Sequence, residues 1–386
     1  MGNATSDYYE LISKELEHQQ PLLLELSHKL HANPEIRFQE HQAAAWLSDT
    51  LEQQGFVVER GVGSLATAFK ATVKGKGNGP NIAFLCEYDA LEGLGHACGH
   101  NLIATMGLGA GLALKPLMTE LPGNLFVIGT PGEEGGGGKV ILLENGIFEG
   151  IDTALMIHPS YNNGAGGPAL ARVAWEVRYS GKPAHAAAAP HLGINALDAI
   201  RLAFNGMDAL RQQVKPDVRM HAIITEGGDA PNIIPHNAAL KIYIRSAAKA
   251  YLHDSVLPRM RGVFEGAALM TGTEVSIKEI AKPYDDMVQH TGLNERFDYH
   301  AQRLGRPLGA KDSEGSGSTD MGNVSHVMPS LHAYLAIDDE AKPHTHEFAQ
   351  AARGTRGDQC ILDGATILAS IGLDVLLNPS IVETKA

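Results

Sequence analysis

The chain has 386 residues, enough for two domains or one domain with a large insertion, and its 44% hydrophobic and 19% charged content describes an ordinary globular protein with ample core material. Forty-four acidic against 31 basic residues give a formal charge of -13 with no basic run, which argues against nucleic acid as a partner. Cys86, Cys98 and Cys360 are too few and too scattered for a disulfide framework and fit a reducing, cytoplasmic compartment. No apolar stretch approaches the roughly 20 residues of a membrane helix. The N-terminus MGNATSDYYE lacks a signal-peptide apolar region. It matches the M-G-x-x-x-[ST] acylation pattern through Gly2 and Ser6, but an acidic amphipathic run follows, and we read an ordinary N-terminus.

In chain order, LISKELEHQQPLLLELSHKLHANPE has helical spacing, with Pro21 starting a second helix or kinking the first. EHQAAAWLSDTLEQQG is a further amphipathic helix stopped by Gly55. The strand-like runs ATAFKATVKG and IAFLCEYD follow, separated by GKGNGPN. HNLIATMGLGAGLALKPLM reads as a small-residue helix, LFVIGT as a buried strand, KVILLENGIF as a helix and TALMIH as a strand. Such alternation predicts an α/β domain with a mostly parallel sheet.

After Pro168 the pattern changes. ARVAWEVRYSG, RMHAIITEGG, NAALKIYIRSA and EVSIKEIA read as strands, with helices over NALDAIRLAFNGMDALRQQV and LHDSVLPRMRGVFEGAALMTG. Two helices against four strands make a self-contained α+β module, placed at 171–283. It interrupts an α/β domain formed by 1–170 and 284–386. The tail carries a helix, a Gly/Ser stretch GSGSTDMGN, the strand SLHAYLAI and a closing helix from Thr345 to Leu377.

Three apolar strands end in polar residues: IAFLC in Glu87 and Asp89, LFVIGT in Glu133 and Glu134, and TALMI in His158. In open parallel sheets ligands bind beyond the carboxyl ends of the strands. These five groups therefore gather at one rim, with HACGHN (96–101) close behind. That hexapeptide alone reads as a metal site, a catalytic thiol or a polar loop. So many carboxylates at one edge repel, and a bound cation removes the problem. Thiolate, imidazole and carboxylate are the donor set of zinc or a similar divalent ion. Of two adjacent acids, one can bind metal while its neighbour takes a proton. TPGEEGGGGK is not a phosphate loop, since the Walker pattern needs Gly at Glu133 and Ser or Thr at Val140.

These residues resemble the M20 metallopeptidases, in the amidohydrolase branch that carries H-A-C-G-H. The resemblance covers nearly the whole chain through HKLHANPE (28–35), EYDAL (87–91), HACGH (96–100), GEE (132–134), HP (158–159), GKPAHAAAAPHLGINAL (181–197), PNIIP (231–235), GSTDMGN (317–323) and HTHEF (344–348). It implies two divalent ions per subunit, zinc first, with manganese, cobalt or nickel as alternatives. Cys98, His100, Glu134, His158 and His344 would be the ligands. Glu133 would be the general base for a water held by the ions, and Asp89 would orient a ligand. His344 is preferred over His346 because the family places its late His four residues before Phe. The inserted module would be a lid through which subunits form a homodimer. Its His185 would stabilise the oxyanion, and its Asn232 and Arg245 would hold the ends of a small-molecule amide substrate. Asp320 matches a position near the site. The implied activity is hydrolysis of an amide in N-acyl amino acids or dipeptide-like substrates. Two other readings stand beside it: a catalytically silent binding protein on the same scaffold, and a hydrolase using Cys98 as nucleophile.

Overall fold

The computed structural model describes residues 2–309 and 317–383. Met1, where the acylation pattern begins, and the first two residues of the Gly/Ser stretch lie outside them. The chain runs α1 (Gly2–Ala32), α2 (His41–Gln53), β1 (Val57–Arg60), β2 (Phe69–Lys74), β3 (Asn81–Cys86), α3 (His100–Leu114), β4 (Asn124–Gly129), α4 (Gly138–Glu144), β5 (Thr153–Ser160) and β6 (Gly164–Ala165). It continues with β7 (Ala171–Ser180), α5 (Ala196–Arg211), β8 (Arg219–Glu226), β9 (Asn237–Ser246), α6 (Lys249–Tyr251), α7 (Leu257–Thr271) and β10 (Glu274–Glu279). It ends with α8 (Thr291–Arg303), α9 (Met321–Ser325), β11 (Ser330–Ala336), α10 (His346–Ala351) and α11 (Thr355–Leu377).

Contacts divide the described residues into two compact units. The second runs from Pro168 to Met287 and takes in Gly317–Gly322; the first holds the rest. The sequence reading leaves 317–322 with the first. Local hydrogen bonds explain the difference: Leu170 N–H donates to Gly317 O at 2.9 Å, and Arg245 Nη1 donates to Ser318 Oγ at 2.7 Å.

The first unit carries a seven-stranded sheet in the order β1-β2-β4-β3-β5-β11-β6. The run β4-β3-β5-β11 is parallel, and β1, β2 and β6 join antiparallel at its edges. The parallel strands are apolar throughout because both faces are covered: Ile82, Phe84, Leu125, Val127, Leu155, Ile157, Leu331 and Leu335 are all fully buried. From β3 the chain moves to β4 on one side, then crosses back through α4 to β5 on the other. This reversal opens the crevice beyond the end of β3 where α/β sheets place ligands.

Three local details differ from the sequence reading. Pro21 lies inside one continuous α1. Pro21 and Glu17, whose carbonyl loses its partner, are exposed, so water can satisfy that carbonyl. The C-terminal helix is two helices, with Thr345 capping α10 through the Phe348 N–H and a turn at Gly354 before α11. Two segments, His100–Thr119 and Thr355–Leu377, are long and apolar enough to cross a membrane; 83% of each such window is buried inside the protein, which makes them core helices here.

The second unit has a four-stranded antiparallel sheet in the order β10-β7-β9-β8. Its alternation puts Val173, Trp175, Val177, Leu240, Ile242 and Ile244 on one face, where α5 and α7 cover them. Asn195 caps α5 by accepting the Leu197 N–H at 2.9 Å.

Candidate metal centre

Cys98 and His100 stand where the chain enters α3, and Gly99 is the reason they can converge. It is left-handed (φ +76°), and a Cβ there would lie 2.5 Å from Pro159 Cγ, so only glycine fits. The thiol and the imidazole on either side therefore turn toward one centre. His158 arrives on β5, directly opposite Tyr334 of β11, in a strand that runs two residues past it. Its Nδ1 bonds Pro159 O at 2.6 Å, which fixes the proton there and leaves Nε2, 3.4 Å from Cys98 Sγ, with its lone pair.

The turn after β4 brings Glu133 and Glu134. Glu134 N–H donates to Asp89 Oδ2 at 2.8 Å, while Asp89 Oδ1 lies 3.1 Å from His100 Nδ1. Asp89 thus ties the β3 end, α3 and the glutamate turn together. His344 follows β11 with φ +70°, a conformation rare outside glycine. Its N–H is held by Ala97 O at 2.8 Å, and its Nε2 is 3.2 Å from Glu134 Oε1. The structure brings His344 to Glu134, while His346 begins α10.

Among the described residues, donor atoms fall into three groups, each within 4.8 Å: Cys98, His100 and His158; Cys98, Glu134 and His344; and Glu87, His100 and Glu133. The first two share Cys98, the arrangement expected of a thiolate bridging two ions. Glu87 Oε2 and His100 Nε2, 3.3 Å apart, and Glu134 Oε1, 3.2 Å from His344 Nε2, are buried and make no well-formed hydrogen bond. Buried polar atoms normally find partners, so these point at a cation. The residues fit two divalent ions.

Electrostatics agree with the fit. Burial and then Glu134 push the Cys98 thiol well above its ordinary pKa, which opposes a thiolate there without a cation beside it. Burial opposes the charge on His100, but Cys98 and Asp89 outweigh it and raise its pKa. Burial and His100 lower His158 to about 4, leaving it neutral and able to ligate. Burial also works against Glu134, yet His344 and His100 hold its pKa down.

In the second unit, His185 pairs with Ile233 in a short bridge, and Ala186 N–H donates to Asn232 O at 3.0 Å, so His185 and Asn232 sit on paired backbones. His185 Nδ1 accepts N–H bonds from Ala187 and Ala188 at 3.2 and 3.1 Å. The ring proton is therefore on Nε2, and the side chain is an exposed donor. Arg245 is half-buried and Asp320 fully buried.

Two cations escape the sequence reading. Arg172, 3% exposed, lies across β7–β9 from Arg245 and stacks 4.0 Å from the Tyr284 ring centroid. Lys139 is fully buried with its Nζ 2.5 Å from Glu87 Oε1. Burial opposes the charge on Glu87, yet Lys139 and then His100 hold its pKa near 2. Four glycines separate Lys139 from Glu134 in sequence, and its 0% exposure is what marks it. Asn101 serves the fold: it donates to Ser27 Oγ and Ala352 O, joining α3 to α1 and to the residue after α10.

The family description "Peptidase family M20/M25/M40" matches residues 80–371. The chain is 39% identical over 374 residues to the Xaa-Arg dipeptidase of Mus musculus, covering 93% of this chain and 86% of that protein. It is 35% identical over 293 residues to one of the subunits of the p-aminobenzoyl-glutamate hydrolase of Escherichia coli, covering 70% of this chain and 60% of that one. A solved dinuclear metal-binding M20 peptidase from Bacillus subtilis shares the fold, with a TM-score of 0.72 and 22% identity over 94% of this chain and 99% of that one. An aminobenzoyl-glutamate utilization protein from Klebsiella pneumoniae does so with a TM-score of 0.73 and 19% identity over 94% and 98%. The chain belongs to peptidase family M20/M25/M40 and is one of its hydrolases.

Proposed function

We propose that this protein hydrolyses the amide bond of a dipeptide or an N-acyl amino acid at a two-metal centre with Glu133 as general base. The observation that carries the reading is the pair of donor groups joined at Cys98, Cys98–His100–His158 and Cys98–Glu134–His344. Divalent ions held there would polarise the amide carbonyl and lower the pKa of water to about 7. The mixed thiolate, imidazole and carboxylate set favours zinc, with manganese, cobalt or nickel as the alternatives.

The side chains divide the remaining work. Glu133, whose carboxylate lies within 4.8 Å of His100 and Glu87, takes the proton of the attacking water and returns it to the leaving amine. Asp89 fixes the His100 tautomer and the Glu134 backbone. His185 offers Nε2–H to the oxyanion, a donation worth about 3 kcal/mol in such settings. Asn232 and Arg245 hold the substrate's amide and carboxylate. Dipeptides are favoured over acylated amino acids because the more similar relative is a dipeptidase. Amine release from a panel of dipeptides and N-acyl amino acids tests the substrate class. Turnover is expected within the panel, with dipeptides faster; a metal-loaded chain inert across it would refute the assigned class.

The second unit supports a homodimer. Strand β8 is an unpaired sheet edge, and Ile223 and Ile224 on it are 65% and 49% exposed. Light scattering should give the mass of two chains. Three buried cysteines without disulfides favour a cytoplasmic setting, which localisation of a tagged chain would check.

A further inference from the structure

Glu87 and His100 in the first unit meet in a buried contact. Asp89 accepts both the Glu134 N–H and the Nδ1–H of His100, so Nε2 is the ring nitrogen that would ligate an ion. Glu87 Oε2 stands 3.3 Å from that nitrogen; the two side chains are 1% and 0% exposed. Neither atom makes a well-formed hydrogen bond. An ion bound at His100 Nε2 takes the place of a proton between the two atoms, and the carboxylate oxygen then faces the cation.

The other Glu87 oxygen is fixed. Lys139 Nζ holds Oε1 at 2.5 Å, and the lysine side chain is 0% exposed. Its placement is built into the backbone. A Cβ on Gly138 would fall 1.7 Å from Pro131 O, so only glycine lets α4 begin this close to the glutamate turn, and Lys139 is the next residue. Charge points the same way. Cys98, Glu87, Asp89, Glu133 and Glu134 are five anionic groups, and two dications would leave one negative charge buried. Lys139 supplies the missing positive charge.

We propose that Glu87 is a further metal ligand, giving Oε2 to the ion that His100 holds, and that Lys139 is the positioning residue that aims this oxygen and balances its charge. The ion at Cys98, His100 and His158 then has four protein donors, and the ion at Cys98, Glu134 and His344 has three. This rests on the two-metal reading above. It also makes the two ions unequal, the better-held one lying beside Lys139.

The test uses Glu87→Gln/Lys139→Met, which removes both charges together, and Glu87→Asp, which keeps the charge but shortens the reach. Metal affinity is read by competition with a chromophoric chelator, and coordination by the visible spectrum of the cobalt(II)-loaded protein. Both variants should keep the fold by circular dichroism and bind one ion as the wild type does. They should bind the other about 10- to 100-fold more weakly, with stronger cobalt d–d bands as a donor is lost. Lys139→Met alone should shift affinity in the same direction and lower kcat with little change in KM. Folded variants that bind two ions with wild-type affinities and an unchanged cobalt spectrum would overturn the assignment while leaving the two-metal reading intact. A wild-type chain that takes up no metal would overturn both.

Discussion

Cys98→Ala is expected to remove both metal ions at once. Cys98 is the only donor common to the two groups that also contain His158 and His344. Its loss takes a bridging anion from each ion and leaves the remaining charges to repel. His158→Ala and His344→Ala should each cost chiefly one ion. The fold should survive Cys98→Ala, because the thiol is a small buried group and alanine fills most of its volume. Loss of the ions removes several kcal/mol of transition-state stabilisation, a fall in kcat/KM of roughly a thousandfold or more. Elemental analysis of the three variants, with circular dichroism to confirm folding, checks this. A folded Cys98→Ala protein that still held two ions would show that the thiol does not bridge.

Glu133→Gln should produce the opposite separation: metals kept, turnover lost. Glu133 and Glu134 are neighbours, but their surroundings differ. Glu134 faces His344 through Oε1 and is anchored to Asp89 through its backbone, whereas Glu133 belongs to the group with Glu87 and His100. Glutamine keeps the shape and the hydrogen-bonding reach of Glu133 but cannot take a proton. General acid–base groups of this kind contribute about 10²- to 10⁴-fold. The loss should therefore fall in kcat, with KM and metal content near wild type. Steady-state kinetics on the best substrate of the panel reads it, and a variant with near-wild-type kcat would remove Glu133 from the base role.

Much of this centre can be read in the sequence because parallel strands announce themselves. IAFLC, LFVIGT and TALMI are continuous apolar runs, so the polar residues that end them share one rim, and Asp89, Glu134 and His158 do converge with Cys98 and His100. Lys139 is hidden for a physical reason. Burial of a lysine depends on a tertiary partner, here Glu87 fifty-two residues away, and on a glycine contact that no periodicity reveals. Arg172 escapes in the same way, since its match with Arg245 depends on strand register rather than on spacing. Proximity in sequence puts the GSTDMG segment with the first unit, but hydrogen bonds to Leu170 and Arg245 bring it to the other. Helix breaks are also partly illegible. Pro21 interrupts nothing because its side of α1 meets water, whereas Gly354 marks a real stop between α10 and α11.

The proposed mechanism centres on two divalent ions that would share the Cys98 thiolate. The most direct test is the number of metal equivalents per chain in the purified protein, measured with dipeptide turnover before chelation, after it and after metal is restored. The expected result is about two equivalents when fully loaded, turnover lost on chelation, and recovery when the ions return. A chain that hydrolyses the same dipeptides at an undiminished rate with its metals stripped would contradict it.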